Sequence, residues 1–314
     1  MEPVRVLADL LKTNMAAVIK GKDDVIQKVI LCLLSGGHIL LEDVPGTGKT
    51  TLAKALAASL GLSFSRVQFT PDLLPSDLTG VHFFDQKQQE FVFRPGPVFT
   101  NILLADEINR ATPRTQASLL ECMEELQVTV DGDTMPLTMP FLVIATQNPV
   151  EIQGTFPLPE AQLDRFLMRL SMGYPTQENE KEMLNAFAGE NPLQTLSPVV
   201  TGELLLTAQA AVRSVHVSDP VKTYILQITA ATRKNDQIRL GVSPRGSLAL
   251  MRAAQAAAAC AGRDYVLPDD VKAVCFDVLC HRMLCKAANY QQASAVQELL
   301  RRILVQIPVP AVPR

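Results

Sequence analysis

The run Pro45-Gly46-Thr47-Gly48-Lys49-Thr50-Thr51 has residue types suited to one task, holding a chain of phosphates. Phosphate oxygens call for inward-pointing backbone N–H groups, the positive end of a helix and a cation. Glycines let the backbone wrap closely. Lys49 is placed to reach the β and γ phosphates, and the Thr50 hydroxyl to ligate Mg²⁺. The full pattern, G-x-x-x-x-G-K-[ST], has its first glycine where this chain carries Asp43. Asp tolerates unusual backbone angles better than most residues, so the loop is expected to survive the exchange.

A second feature supports the first. Ile102-Leu103-Leu104-Ala105 is an apolar run that ends in Asp106-Glu107. A phosphate loop of this class needs an acid at a strand end to hold Mg²⁺, and Asp106 fits. Glu107 is then placed to orient or deprotonate an attacking water. Alone, such a pair is an ordinary solvated strand end; after a phosphate loop it is specific. A third apolar run leads into Thr146-Gln147-Asn148-Pro149, where the Asn148 amide could sense a γ phosphate, although Asn before Pro is also a plain turn signal. Together these imply ATP and Mg²⁺ as cofactors, with Thr50 and Asp106 as metal ligands. No Asn-Lys-x-Asp sequence is present to read guanine, so ATP is favoured over GTP. Cys280, His281 and Cys285 lie close in sequence, but core or surface of one helix is the favoured reading, because metal ligands usually come as recognisable spaced pairs.

Such residues need an α/β scaffold. The apolar runs His38 to Leu41, Asn101 to Ala105 and Phe141 to Ala145 read as strands of a parallel sheet covered on both faces. Helical spacing lies between them, over Thr50 to Leu60 and over Pro113 to Leu126. Two hairpins interrupt the alternation. One joins Val81 to Phe84 with Glu90 to Phe93, and the other turns at Asp131-Gly132. After Tyr174-Pro175 the strands are expected to stop and helices to follow, with starts at Asp219-Pro220 and Pro268. The expected division is 1–175 for N-terminal helices plus an α/β core and 176–200 for a linker and first lid helix. A helical lid over 201–307 and a Pro-rich tail over 308–314 complete it.

Composition narrows the class. With 314 residues and 47% hydrophobic content, the chain can bury a sizeable core. Lys and Arg total 29 against 32 Asp and Glu, for a formal charge of -3, which does not favour nucleic acid as a bulk partner. No signal peptide or membrane-spanning apolar run is evident, and the cytoplasm is the default location.

The order of these motifs resembles the AAA+ ATPases and, within them, the MoxR family. The strings that carry the resemblance are Leu41-Glu42-Asp43-Val44-Pro45-Gly46, Asp106-Glu107-Ile108-Asn109-Arg110-Ala111, Ala145-Thr146-Gln147-Asn148-Pro149, Leu158 to Phe166 and Gly241-Val242-Ser243-Pro244-Arg245. The resemblance implies a P-loop core followed by an all-α lid. It further implies Asn148 as sensor 1, Arg245 as sensor 2 and Arg165 as an arginine finger reaching a neighbouring subunit's ATP. Arg110, Arg114 and Arg169 are rivals for the finger. Pro244 is expected to start a helix whose first turn faces the nucleotide. The resemblance also implies a homo-oligomeric ring, commonly a hexamer. Its work would be chaperone-like, remodelling a partner such as a von Willebrand factor A domain protein or helping a metal cofactor enter a client enzyme. Two other readings stay open: a nucleic-acid-stimulated motor, disfavoured by the acidic balance and 5% aromatic content, and a nucleotide-gated scaffold with little turnover.

Overall fold

A computed structural model of the chain describes residues 1–149, 154–189, 191–286 and 292–310. Two helices, α1 (Glu2–Ala16) and α2 (Asp23–Leu34), come first. The next run is β1 (Ile39–Glu42), α3 (Lys49–Leu60), β2 (Phe64–Gln68), α4 (Pro75–Thr79), β3 (Gly80–Asp85), β4 (Glu90–Pro95) and β5 (Ile102–Asp106). It continues through α5 (Pro113–Glu125), β6 (Gln127–Val130), β7 (Asp133–Pro136), β8 (Leu142–Gln147), α6 (Glu160–Leu163) and β9 (Met168–Leu170). Then follow α7 (Gln177–Phe187), α8 (Gly202–Arg213), α9 (Asp219–Lys234), β10 (Ile238–Leu240), α10 (Pro244–Cys260), α11 (Pro268–Leu279), β11 (Leu284–Cys285) and α12 (Gln292–Gln306).

Five strands form one parallel sheet in the order β2-β5-β8-β1-β9. Its strands read as continuous apolar runs because both faces are covered. Along β1, Ile39 and Leu41 enter the core shared with α1, α2 and α3, whereas Leu40 enters the core under α5. A parallel sheet brings every strand's C-terminal end to one edge. Glu42, Gln68, Asp106 and Gln147 end their strands there, with Gln68 opposite Asp106 and Glu42 opposite Gln147.

The three apolar runs are strands, and the helices and hairpins fall where the sequence places them. At the second hairpin, Asp131 and Gly132 both adopt positive φ, 52° and 94°, as a tight turn matched to strand twist demands. Two features depart from the sequence reading. β2 and β9 are additional strands. β2 lies at the sheet edge and mixes polar and apolar residues, and β9 has only 3 residues. Strands do not stop at Tyr174-Pro175 either, since β10 and β11 pair as an antiparallel ribbon among the helices. The apolar core runs from one face of the sheet through α1 and α2 into the later helices, with Val221, Tyr224, Leu250 and Val271 in the same cluster as Ile39 and Leu104.

Candidate nucleotide site

At the C-terminal edge, β1 delivers the chain into the loop and α3 carries it away. Gly46 and Gly48 adopt φ of 84° and 90°, values costly for any residue with a Cβ, and Gly48 caps the first turn of α3. The loop, Arg66, Gln68, Asp106, Glu107 and Asn148 enclose a cleft of about 420 Å³. Pro45, Gly46, Gly48, Lys49 and Thr50 line it. Thr47 and Thr51 do not, and the Thr47 hydroxyl instead donates to the Val44 carbonyl at 3.3 Å. Lys49 Nζ donates to the carbonyls of Asp43 at 2.9 Å and Val44 at 3.3 Å, which holds its charge at the mouth of the loop. A larger cavity of about 650 Å³ beside β9 is lined by already paired charges, Glu42 with Arg169 and Lys28 with Asp277, and has no glycine loop.

Asp43 does not stand in for glycine by adopting a glycine-like angle, contrary to the sequence expectation. It is absent from the residues with positive φ, and its side chain is buried. Its Oδ2 accepts from the backbone N–H of Met172, from that of Gly173 at 3.0 Å and from the Ser171 hydroxyl at 3.3 Å. A carboxylate therefore fastens the start of the loop to the segment after β9.

The two acids are held differently. Asp106 Oδ1 accepts from the Thr146 hydroxyl at 2.6 Å, and its Oδ2 from Arg66 Nη2 at 2.7 Å. Glu107 sits in the left-handed region at φ 58°, a strained setting for a residue with a side chain and one that concentrates at functional sites. The Thr146 hydroxyl accepts from its backbone N–H at 2.9 Å, and Glu107 Oε2 accepts from Gln68 at 2.6 Å and Arg110 at 3.0 Å. Arg66, Gln68 and Thr146 are site residues the sequence reading missed. The available signal was the alternation of Arg66 and Gln68 in a segment leading away from the phosphate-loop helix, which needed β2 to be recognised first.

The donor set fits ATP with Mg²⁺: a helix N-terminus, a lysine, a threonine hydroxyl and a carboxylate converge on one cleft, and nothing lies within 4 Å of where a Cβ on Gly46 would stand.

Arg165 and Arg245 stand elsewhere. Both guanidinium groups pair with Glu124 at the end of α5, Arg165 at 3.2 Å. That corner is the N-terminal edge of the sheet. His38, the residue before β1, donates through Nε2 to the Met123 carbonyl at 3.1 Å and accepts at Nδ1 from Val143 N–H at 3.0 Å. Its own carbonyl accepts from Leu167 N–H at 2.9 Å. The 4 residues of β1, about 13 Å at ~3.3 Å each, separate this corner from the loop. The first turn of α10, expected from the sequence to face the nucleotide, therefore stands at the edge opposite the loop of its own chain. Asp164 fixes this placement: it accepts from the Ser243 hydroxyl that caps α10 at 2.7 Å and from Arg282 Nε at 2.6 Å. Of the rivals to Arg165, Arg110 is bonded to Glu107 and Arg169 pairs with Glu42 at 3.1 Å. Among the described residues no group of His, Cys, Asp and Glu is arranged to hold a metal, and His281 instead donates to the Phe166 carbonyl at 3.0 Å. No helix among them is long and apolar enough to cross a membrane.

Comparison with known proteins gives the family. Residues 38–168 match the model of the ATPase family associated with various cellular activities (AAA), and residues 230–303 match the AAA lid domain. The chain is 50% identical to the protein YeaC of Bacillus subtilis (strain 168), over 93% of this chain and 92% of that one. It is 41% identical to chaperone MoxR1 of Mycobacterium tuberculosis over 94% of this chain and 80% of that one. A crystal structure of a candidate ATPase from Cytophaga hutchinsonii superposes with a TM-score of 0.89 at 37% identity, covering 99% of this chain and 98% of that one. With its phosphate loop, paired acids and helical second part in this order, the chain belongs to the MoxR family of AAA+ ATPases.

Proposed function

We propose that the protein is a Mg²⁺-dependent ATPase whose site is completed between neighbouring copies in a ring, and that it uses turnover for chaperone-like remodelling of a partner protein. The observation that carries this reading is the placement of Arg165 and Arg245 at the edge of the sheet opposite the loop. Within one chain neither reaches a phosphate held at Lys49, whereas a neighbour packed against that edge receives both.

The roles follow from position. The loop N–H groups, Lys49 and the first turn of α3 bind the phosphates, and Thr50 and Asp106 hold the metal. Bound Mg²⁺ would neutralise charge on the β and γ oxygens. Glu107 takes the proton of the attacking water, with Asn148 beside the γ phosphate as sensor 1. Arg165 and Arg245 of the adjacent copy supply positive charge where the transferring phosphoryl group develops negative charge. The chaperone-like role draws on the likeness to chaperone MoxR1 of Mycobacterium tuberculosis. A von Willebrand factor A domain protein is the partner class to try first, with a hexamer as the expected ring. Binding of a purified domain of that class that changes ATP turnover would support this part, and indifference to it would remove that partner class.

The test of the core reading is ATP hydrolysis with Mg²⁺ across a wide range of protein concentration. Specific activity should rise steeply as copies associate. Flat activity in a demonstrably monomeric sample would place the whole site in one chain. No turnover at any concentration, with ATP still bound, would leave a nucleotide-gated scaffold.

A further inference from the structure

We infer that Asp43 is a positioning residue that couples the phosphate loop to the segment leading into the second, helical part of the chain. The inference deepens the ATPase reading and rests on it for the identity of the nucleotide. Asp43 occupies the position where the general phosphate-loop pattern has glycine. Yet it meets no requirement for left-handed backbone, so its side chain is there for another reason.

Asp43 is only 6% exposed, and a single carboxylate oxygen, Oδ2, takes all three donors from Ser171, Met172 and Gly173. Charge-assisted bonds to backbone N–H groups are roughly twice as strong as neutral ones. The backbone of Asp43 is engaged as well: its N–H donates to the Gln147 carbonyl at 3.2 Å, and its carbonyl accepts from Lys49 Nζ at 2.9 Å. One residue thus joins the phosphate-binding lysine, the end of β8 and the segment after β9. Met172 also lies beside the loop: its methyl is the nearest atom, at 3.8 Å, to where a Cβ on Gly48 would stand. Beyond Gly173 the segment runs through Tyr174, whose carbonyl accepts from Lys22 at 2.9 Å, into α7. A displacement of the loop when phosphates draw Lys49 away from the Asp43 carbonyl is passed to Met172 and Gly173 through a short, buried, charged connection. With glycine at position 43 the loop retains its phosphate-binding shape but loses that connection.

The test is hydrogen exchange on the full chain, resolved at Met172 and Gly173 and over α7, with and without a non-hydrolysable ATP analogue plus Mg²⁺. In the nucleotide-free state, Asp43→Gly should speed exchange at the Met172 and Gly173 amides by about tenfold or more, as expected for loss of a bond to a charged acceptor. Analogue affinity should stay within about threefold of the parent, under 1 kcal/mol. In the parent the analogue should slow exchange over α7, and in the glycine variant that response should vanish. Asp43→Asn, which keeps one acceptor oxygen, should lie between the two and carries the test if the glycine variant does not fold. Unchanged exchange at Met172 and Gly173 would overturn the inference, as would an α7 response equal in parent and variant or absent from the parent. Loss of binding in Asp43→Gly as complete as in Lys49→Ala would also overturn it, by making Asp43 part of the phosphate site. If the parent binds no analogue, the ATPase reading falls. The nucleotide-free exchange would then still show whether the tie to Met172 and Gly173 exists, with the coupling overturned for want of a ligand.

Discussion

The two edges of the central sheet are built in opposite ways. At the C-terminal edge the candidate phosphate site comes from short local strings: Pro45 to Thr50 turn on two glycines, and Asp106 ends one strand with Glu107 next to it. At the N-terminal edge, Glu124, Arg165 and Arg245 meet from three distant stretches of chain. A phosphate cradle is made of backbone N–H groups, which only a contiguous loop can supply. A cluster of arginines is made of long side chains, which any three elements can bring together once packing allows. The first edge is thus readable as a motif, and the second depends on contacts between distant segments, among them those of Asp164 with Ser243 and Arg282. Each edge holds what the other lacks, consistent with a site shared between copies.

Arg165→Ala offers the hardest test of this division. It should lower turnover by ~10³–10⁵-fold while leaving nucleotide affinity nearly unchanged. Mixed with Lys49→Ala protein, itself expected to lose ATP binding or turnover, it should regain a fraction of activity, because each partner supplies the edge the other has lost. An inactive mixture whose subunits demonstrably co-assemble would return the arginine to its own chain. Glu107→Gln should reduce phosphate release by ~10²–10⁴-fold with fluorescent-nucleotide binding preserved. Turnover near the parent rate would remove Glu107 from the water-activating role.

Two smaller effects probe what holds the arginine edge in place. Arg282 is almost fully buried, and its guanidinium donates to the Phe166 and Leu167 carbonyls as well as to Asp164. Arg282→Met should cost about 3–5 kcal/mol in denaturant unfolding by leaving the Asp164 charge uncompensated, and adding Asp164→Asn should recover part of the loss. His38 joins β1, β8 and α5, and burial pushes its imidazole down to about 4, partly offset by its bond to the Met123 carbonyl. A histidine with a depressed pKa folds as the neutral form. Its contribution is therefore complete above the unfolded value of ~6.5 and declines as pH falls toward 4, by about 2 kcal/mol at pH 5. His38→Gln should flatten the slope of stability against pH over that window in thermal melts. An unchanged slope would assign the acid sensitivity elsewhere, with buried His281, also shifted downward by burial and by Arg282, the next residue to substitute.

The hairpins and main helices were legible because each is set locally. Asp131-Gly132 can adopt the angles of a tight turn, and Pro113 begins a helix where a missing N–H costs nothing. β2 was not legible, since at the sheet edge Arg66 and Gln68 replace the apolar run that marks a central strand. The same polarity puts them beside the acids. Arg245 was legible as a residue but not as a location, because Ser243-Pro244 announces a helix start and says nothing of which edge that helix meets. Asp43 looked like a lost glycine until its three donors came into view, all more than a hundred residues away along the chain.

By itself, the sequence determined the phosphate loop, the paired acids, the parallel strands and the membership of an ATP-handling fold, because backbone angles, helix starts and burial on both strand faces are written in adjacent residues. The tertiary structure alone decided which side of the sheet each arginine occupies, which acid each polar side chain meets and why position 43 carries a carboxylate. Those depend on contacts between residues distant in the chain, and no local pattern of residue types encodes where two such segments will touch.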